Sequence, residues 1–134
     1  MEKRFELNAS AEVLSPFRKE LRQILSQEGW EKKAADEILL AVDEALTNII
    51  RHAYQGKPGQ MTVFVAAFGD KIEIILEDRG KKFDPTQVPS PELPRHKPGG
   101  LGIHFIRTIM DQMIYDGQDP TGNRLRLVKH KTKI

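Results

Sequence analysis

The chain has 134 residues and no cysteine, and its basic and acidic side chains leave a net charge of only +2 at pH 7. This length suits one domain spanning 1–134, the lack of cysteine excludes disulfides and thiolate sites, and the small charge argues against direct nucleic-acid binding. No stretch approaches the roughly 18–20 apolar residues of a membrane span, so we expect a soluble, cytoplasmic protein with no membrane partner.

The chain begins with a predicted strand and helix. Residues 4–8 alternate in polarity, which predicts a short edge strand. A helix of about 11–28 follows, with Ser10 as a candidate cap. The alternative start lies one turn later, where Ser15 caps the helix and Pro16 takes its first position.

The middle of the chain holds the clearest predicted helix, from about 31 to 54, with a broad apolar stripe. Two runs of alternating polarity, 61–68 and 72–76, predict an antiparallel hairpin. Five of the eight prolines then fall within 85–98. Such a long loop inside a compact domain is typical of a lid over a binding site.

The last third of the chain predicts a helix that opens at the glycine-rich run 99–102, followed by strands at 113–116 and 125–130. Helices are thus segregated from strands along the chain. This pattern predicts an α+β fold in two layers, with a mixed, mostly antiparallel sheet of four to five strands packed on three helices.

A first candidate site lies on the long helix, where Glu44, Asn48 and His52 share one face at intervals of four residues. A carboxylate and an amide one turn apart both offer oxygen ligands to a hard cation. An ordinary solvated polar face explains the same pattern, and this spacing is common.

A second candidate is Asp78, which follows an apolar strand, with Gly80 two residues later. The aspartate is placed to point into a pocket, and the glycine allows backbone to approach a ligand closely. A plain turn after a strand uses the same residue types.

A third candidate is the run Gly99-Gly100-Leu101-Gly102 at a helix start. Free amides and the positive end of the helix dipole favour a phosphate there. The run lacks the Gly-Lys-Ser/Thr ending of a Walker motif and the preceding parallel strand of a dinucleotide site.

The order and spacing of the three motifs resemble those of the GHKL ATPase superfamily, which includes gyrase and the histidine kinases. The single-domain size and three local matches, over 43–54, 83–85 and 122–127, resemble the anti-sigma-factor serine kinase branch. The resemblance covers nearly the whole chain and implies the Bergerat ATP-binding fold.

The resemblance implies ATP bound between the long helix and the lid, with Mg²⁺ bridging its phosphates. It implies that Glu44 is the general base, that Asn48 binds Mg²⁺, and that Asp78 accepts a hydrogen bond from the adenine amino group, with Gly80 making room for the base. The residues that it places near the phosphates are Arg51, His52, Gly99, Gly100, Leu101 and Gly102.

Two positions depart from the pattern of this family. Lys82 stands where many relatives carry a second glycine, so either the lid hinge is stiffer or the lysine adds a phosphate contact. Asn123 and Arg124 precede the final strand where relatives often place a threonine that helps to hold adenine.

The leading functional hypothesis implied by the resemblance is a serine/threonine protein kinase. It would phosphorylate a small anti-sigma-factor antagonist, a STAS-domain protein, and sequester a sigma factor. A homodimer is a further expectation. The alternative is a non-catalytic ATP/ADP switch that acts only by binding partners. A histidine kinase catalytic domain is disfavoured because no dimerisation helix with a phosphoacceptor histidine precedes the motifs. The basic tail 129–133 is the sole support for nucleic-acid binding.

Overall fold

The computed structural model describes residues 1–89 and 101–131. Within those ranges the strands are β1 (Glu2–Asn8), β2 (Gln60–Ala67), β3 (Lys71–Asp78), β4 (Gln112–Asp116) and β5 (Asn123–His130). The α-helices are α1 (Leu14–Gln27), α2 (Lys32–Asn48) and α3 (Leu101–Ile109). Short 3₁₀ turns lie at Ala11–Val13 and Pro85–Gln87, and a π-helix at Ile49–Ala53 continues α2.

The five strands form one sheet in the order β1-β2-β3-β5-β4. Each of its four strand pairs is antiparallel. The predicted two-layer α+β architecture with three helices is confirmed, and the sheet is antiparallel rather than mixed. Within the β4–β5 hairpin, β5 is the strand that pairs with β3, and β4 lies at the edge of the sheet. The start of β5 therefore lies beside the end of β3.

One face of the sheet is buried under the helices. Along β3 every second side chain is buried, namely those of Ile72, Ile74, Leu76 and Asp78. The same core holds fully buried side chains from the three helices, among them Leu21, Leu25, Ile38, Leu46 and Ile106. Asp78 therefore ends a row of apolar side chains and faces the helical layer, because alternate strand residues share a face.

The predicted helix 31–54 is confirmed in extent but changes its winding at the end. After Asn48 the backbone follows a π-helix, in which the amide of Tyr54 donates to the carbonyl of Ile49 at 3.0 Å. Single π-turns inside α-helices occur frequently at functional sites. The change of winding directly follows one of the predicted site residues.

The first helix starts between the two predicted positions. The 3₁₀ turn Ala11–Val13 leads directly into α1, so Pro16 is the third residue of that helix. Proline is tolerated there because amides in the first helical turn have no helical partner. Ser10 has extended backbone, but its side chain makes no capping hydrogen bond. In the ranges 1–89 and 101–131, no helix has the length and apolarity to cross a membrane.

Candidate functional site

The carboxylate of Asp78 lies at the end of β3, with only 6% of the residue exposed. Its Oδ1 accepts two hydrogen bonds of 2.9 Å, from the amide of Gly80 and from Nδ2 of Asn123. Burial raises the pKa of Asp78, and the two hydrogen bonds and the charge of Lys82 oppose that rise. The geometry leaves Oδ2 as the carboxylate oxygen available to a ligand.

A cleft opens beside Asp78 between the helical layer and the sheet, and it encloses about 350 Å³ including its open mouth. Its walls are mainly apolar, and its polar side chains come from α2, β3, β4 and β5. The lining residues are Ala45, Asn48, Ile49, Ala53, Leu76, Asp78, Phe83, Pro85, Tyr115, Asn123 and Leu125. Apolar walls with a few fixed polar groups suit a flat heterocyclic ligand.

Asn48, the last residue of α2, carries an unusual polar atom. Its Nδ2 is buried and has no hydrogen-bond partner among the residues that the structure describes. Leaving a buried donor unpaired costs roughly 1–3 kcal/mol, so such atoms call for an explanation. A ligand that brings an acceptor into the cleft would satisfy this donor.

Glu44 lies one turn before Asn48 and is half-buried against the start of α3. A Cβ built on Gly102 would overlap Oε2 of Glu44, so this carboxylate lies directly against the backbone of α3 and would have to move if Gly102 carried a side chain. The structure thus brings Gly102 to Glu44. Gly99 and Gly100 lie outside the described residues, and Leu101 begins α3.

The oxygen donors of Glu44 and Asn48 are of the kind that Mg²⁺ prefers, and their positions one turn apart fit the predicted metal site. Asn48 contributes one amide oxygen to such a site. No group of three histidine, aspartate or glutamate side chains is arranged to hold a metal in the described ranges.

His52 lies in the π-helix, and its ring stacks on that of Phe83 with centroids 4.6 Å apart and planes 22° apart. Burial, and then the charge of neighbouring Arg51, lower the pKa of His52. The imidazole is therefore mostly neutral at pH 7, since its ordinary pKa is about 6.5. Arg51 is exposed on the same segment. Of the two side chains, its guanidinium is the one that carries a positive charge at pH 7.

Gly80 lies where the backbone after β3 crosses the π-helix. A Cβ at this position would lie 2.5 Å from the carbonyl oxygen of Ala53. The next amide, that of Lys81, donates to the same oxygen at 2.7 Å. The structure thus gives Gly80 a packing role against the helix backbone, and the predicted approach of a base to Gly80 stays a prediction.

Lys82, which lies in the chain just before the predicted lid, is hydrogen-bonded to the turn between β4 and β5. Its Nζ donates to the carbonyls of Gly117 and Gly122 at 2.6 Å each, and also to that of Asp119. Of the two interpretations of this departure, the structure favours the stiffer hinge, because the ammonium group is directed at three backbone carbonyls.

The first part of the predicted lid, 85–98, is held in place. Residues 85–87 form a 3₁₀ turn capped by Asp84, whose Oδ1 accepts from the amide of Thr86 at 2.9 Å. Arg107 of α3 donates to the carbonyls of Thr86 and Val88. Residues 90–98 of the predicted lid lie outside the described residues.

Four residues that line the cleft were not predicted as site residues: Phe83, Pro85, Tyr115 and Asn123. The resemblance used 83–85 and 122–127 only as local matches, and it marked Asn123 as a departure at an adenine contact. One signal was available for Asn123, because it precedes Leu125 and Leu127 by two and four residues and therefore shares their buried face. Phe83 and Pro85 belong to a loop, for which the sequence carries no periodic signal.

Comparison with known proteins identifies the family. A family model described as the histidine kinase-like ATPase domain matches residues 7–129. The serine-protein kinase RsbW of Listeria monocytogenes serotype 4a is 33% identical, over 83% of this chain and 78% of that protein. The serine-protein kinase RsbW of Bacillus subtilis is 31% identical, over 78% of this chain and 71% of that protein.

Solved structures agree in fold. The RsbU and RsbW domains of a Mycobacterium tuberculosis protein match with a TM-score of 0.73 and 17% identity, over 100% of this chain and 33% of that chain. A histidine kinase domain from a blue-light activated kinase of Erythrobacter litoralis matches with a TM-score of 0.57 and 17% identity, over 87% of this chain and 60% of that chain. The resemblance inferred from the order of the motifs is confirmed, and the chain belongs to the histidine kinase-like ATPase domain family, in the branch of the RsbW serine-protein kinases.

Proposed function

We propose that this protein binds ATP in the cleft beside Asp78 and transfers its γ-phosphate to a serine or threonine hydroxyl of a partner protein. The observation that carries the proposal is the buried Nδ2 of Asn48, which has no hydrogen-bond partner within 1–89 and 101–131 and lies in a cleft that also presents Oδ2 of Asp78. One acceptor and one donor are thus left open for a ligand in a chain whose relatives are named serine-protein kinases.

The apolar walls of the cleft suit the adenine ring, and Asp78 accepts a hydrogen bond from its amino group. A buried carboxylate that only accepts selects adenine over guanine, because guanine presents a carbonyl oxygen at the corresponding position. The cleft therefore recognises the amino group of adenine as well as the flat shape of the ring.

The phosphates extend from the cleft toward Glu44 and the start of α3. Asn48 would hold Mg²⁺ through its amide oxygen, and a metal bound there would supply positive charge beside the transferred group. The first-turn amides of α3, at the positive end of the helix dipole, face the same region and favour an anion. Arg51 adds positive charge nearby.

Glu44 acts as the general base. Its carboxylate takes the proton of the attacking hydroxyl while the oxygen bonds to the γ-phosphorus and ADP leaves with the bridging oxygen. A base positioned in this way typically contributes about 10²–10⁴-fold to the rate. Gly102 leaves the carboxylate room at the start of α3.

The partners we propose are a small anti-sigma-factor antagonist with a STAS domain, as phosphoacceptor, and a sigma factor that the protein sequesters. The support is membership of the RsbW branch, whose proteins align with this chain over more than 70% of their own length. A homodimer in the cytoplasm stays part of this proposal.

A pull-down from host lysate with and without Mg-ATP, followed by single-turnover transfer from labelled ATP to the captured antagonist, tests the proposal. Glu44→Gln should slow transfer by about 10²–10⁴-fold and leave ATP affinity within a few-fold. Asn48→Ala should weaken Mg-ATP binding as well. Glu37→Gln, two helical turns before Glu44, is the matched control and should behave like the native protein.

Three outcomes would contradict parts of the proposal. Failure to bind ATP with Mg²⁺ present would remove the nucleotide site altogether. Nucleotide binding and sigma-factor capture without any phosphate transfer would leave the non-catalytic switch as the function. Normal transfer by Glu44→Gln would show that another group is the base.

A further inference from the structure

We propose that Asn123 is a positioning residue that sets the base specificity of the cleft, because the hydrogen bond that its amide donates to Oδ1 of Asp78 keeps the carboxylate a group that presents only an acceptor to the ligand. Tyr115 acts one step earlier and fixes the orientation of the Asn123 amide. The inference rests on the proposed nucleotide function. It gives a role to Asn123, which departs from the threonine that relatives often place near adenine, and to Tyr115, to which the resemblance assigned none.

Asn123 uses all its hydrogen-bonding capacity on four partners, which lie on β3, on the loop after it and on β4. Its Nδ2 donates to Oδ1 of Asp78 and to the carbonyl of Lys81, both at 2.9 Å. Its Oδ1 accepts from the amide of Phe83 at 2.9 Å and from the hydroxyl of Tyr115 at 2.5 Å. The residue is 9% exposed, so water does not substitute readily for these partners.

The orientation of the amide follows from its donors. The Phe83 amide is only a donor, and the Tyr115 hydroxyl directs its proton at the same oxygen. Rotating the amide by half a turn would place its NH₂ group against the Phe83 N–H. It would also leave Oδ1 of Asp78 and the carbonyl oxygen of Lys81 without their donor. These two contacts therefore keep Nδ2 directed at Asp78.

The orientation of Asp78 follows in turn. A free aspartate rotates with little preference about its last bond, since that torsion is broad and roughly two-fold. In this structure both the Asn123 amide and the Gly80 amide donate to the same oxygen, Oδ1. Oδ2 is then the acceptor that lies ready for the exocyclic amino group of adenine.

Chemical discrimination depends on this arrangement. Inosine triphosphate has the same shape as ATP at the exocyclic position but carries a carbonyl oxygen there instead of an amino group. A fixed Oδ2 accepts from the amino group and repels the carbonyl. A carboxyl group that takes up a proton also offers a donor, so it no longer distinguishes the two nucleotides.

Asn123→Asp is the sharpest variant because it has nearly the same shape. It keeps an acceptor for Phe83 and Tyr115 but replaces the donor to Asp78 with a second carboxylate. Two adjacent carboxylates cannot both stay ionised easily, so the pair shares a proton. Tyr115→Phe removes only the hydroxyl. Thr121→Ala, in the exposed turn before β5, is the matched control.

The experiment is calorimetric titration of ATP and of inosine triphosphate into each full-length variant, with melting curves as the check of folding. We expect the native protein and Thr121→Ala to prefer ATP by about tenfold or more. Asn123→Asp should lose most of that preference, and Tyr115→Phe should lose a few-fold. A role in folding alone would weaken both nucleotides equally and leave the ratio unchanged.

The inference is overturned if Asn123→Asp keeps the native ratio of the two affinities. Should that variant fail to fold, an unchanged ratio in Tyr115→Phe overturns it equally. Failure of the proposed function looks different, because the native protein itself would then bind neither nucleotide.

Discussion

Asp78 and Asn123 are cross-strand partners at the matching ends of β3 and β5, and a buried hydrogen bond of 2.9 Å joins the carboxylate to the amide. Each residue ends a row of apolar side chains that continues into the core. On both strands the core therefore ends, and the binding cleft begins, at this one pair of residues. A substitution at either position changes both stability and ligand recognition.

Asp78→Asn should separate these two effects. The asparagine oxygen accepts from Gly80 and Asn123 as before, while an NH₂ group replaces the Oδ2 that faces the ligand. We expect ATP affinity to fall by about tenfold or more, with the preference over GTP relaxed. Titration of both nucleotides measures this, and equal binding of ATP and GTP by the native protein would contradict the role of Asp78.

The same variant should be more stable than the native protein at neutral pH. Burial places the pKa of folded Asp78 above its unfolded value. The folded state thus holds the proton more tightly, and its stability falls as pH rises through the window between the two values. Urea unfolding at several pH values should show that Asp78→Asn removes this contribution. Lower stability of the variant at pH 7 would contradict it.

The fold could be predicted because its elements are strongly periodic. The stripe along 31–54 and the alternation in 61–68 and 72–76 correspond to buried faces in the structure. Glu44, Asn48 and Asp78 could be selected because motif order resembles a known superfamily. The prediction stopped β3 at 76, since an aspartate at the end of a strand looks like the start of a turn.

Other features could not be predicted because they depend on contacts between distant segments. The stacking of His52 on Phe83 joins residues 31 positions apart in the chain. The three carbonyls that Lys82 binds belong to a turn about 35–40 residues later. The residue types of Ile49–Ala53 are those of an ordinary α-helix, so the sequence does not indicate that this segment is a π-helix.

Gly102→Ala should impair catalysis more than folding. Alanine is a better helix former than glycine, so α3 should not be weakened. The new methyl group would overlap Oε2 of Glu44, so the carboxylate must move. We expect phosphate transfer to fall by about tenfold or more, since displacement of a base by 1 Å costs up to about 100-fold. Melting curves provide the control, and native transfer rates would place Glu44 outside the reaction.

Lys82→Met should loosen the turn between β4 and β5. It keeps much of the side-chain bulk but removes the ammonium that binds three carbonyls. We expect the free energy of unfolding to fall by about 1 kcal/mol, the usual net value of such hydrogen bonds. Lys81→Met is the matched control next in the chain. A loss of ATP affinity that varies with salt, with unchanged stability, would instead indicate a phosphate contact.

His52 should make stability depend on pH in the opposite direction to Asp78. Burial and Arg51 hold the pKa of folded His52 below its ordinary value. The folded state therefore resists protonation, and stability falls as pH decreases below about 6.5 toward the lower folded pKa. Comparing urea unfolding of native protein and His52→Gln between pH 8 and pH 5 isolates this slope. Identical slopes would show that another group controls it.

The π-helix after Asn48 also restricts how this gene can vary in length. A π-helix has more residues per turn than an α-helix, so it places Ala53 at a different angle around the helix axis. At this angle the carbonyl of Ala53 accepts from the amide of Lys81 at 2.7 Å. Deleting one residue within Ile49–Ala53 would shift every later contact of the segment. The exposed turn at 55–58 has no such restriction, so insertions and deletions should accumulate there and be absent a few codons earlier.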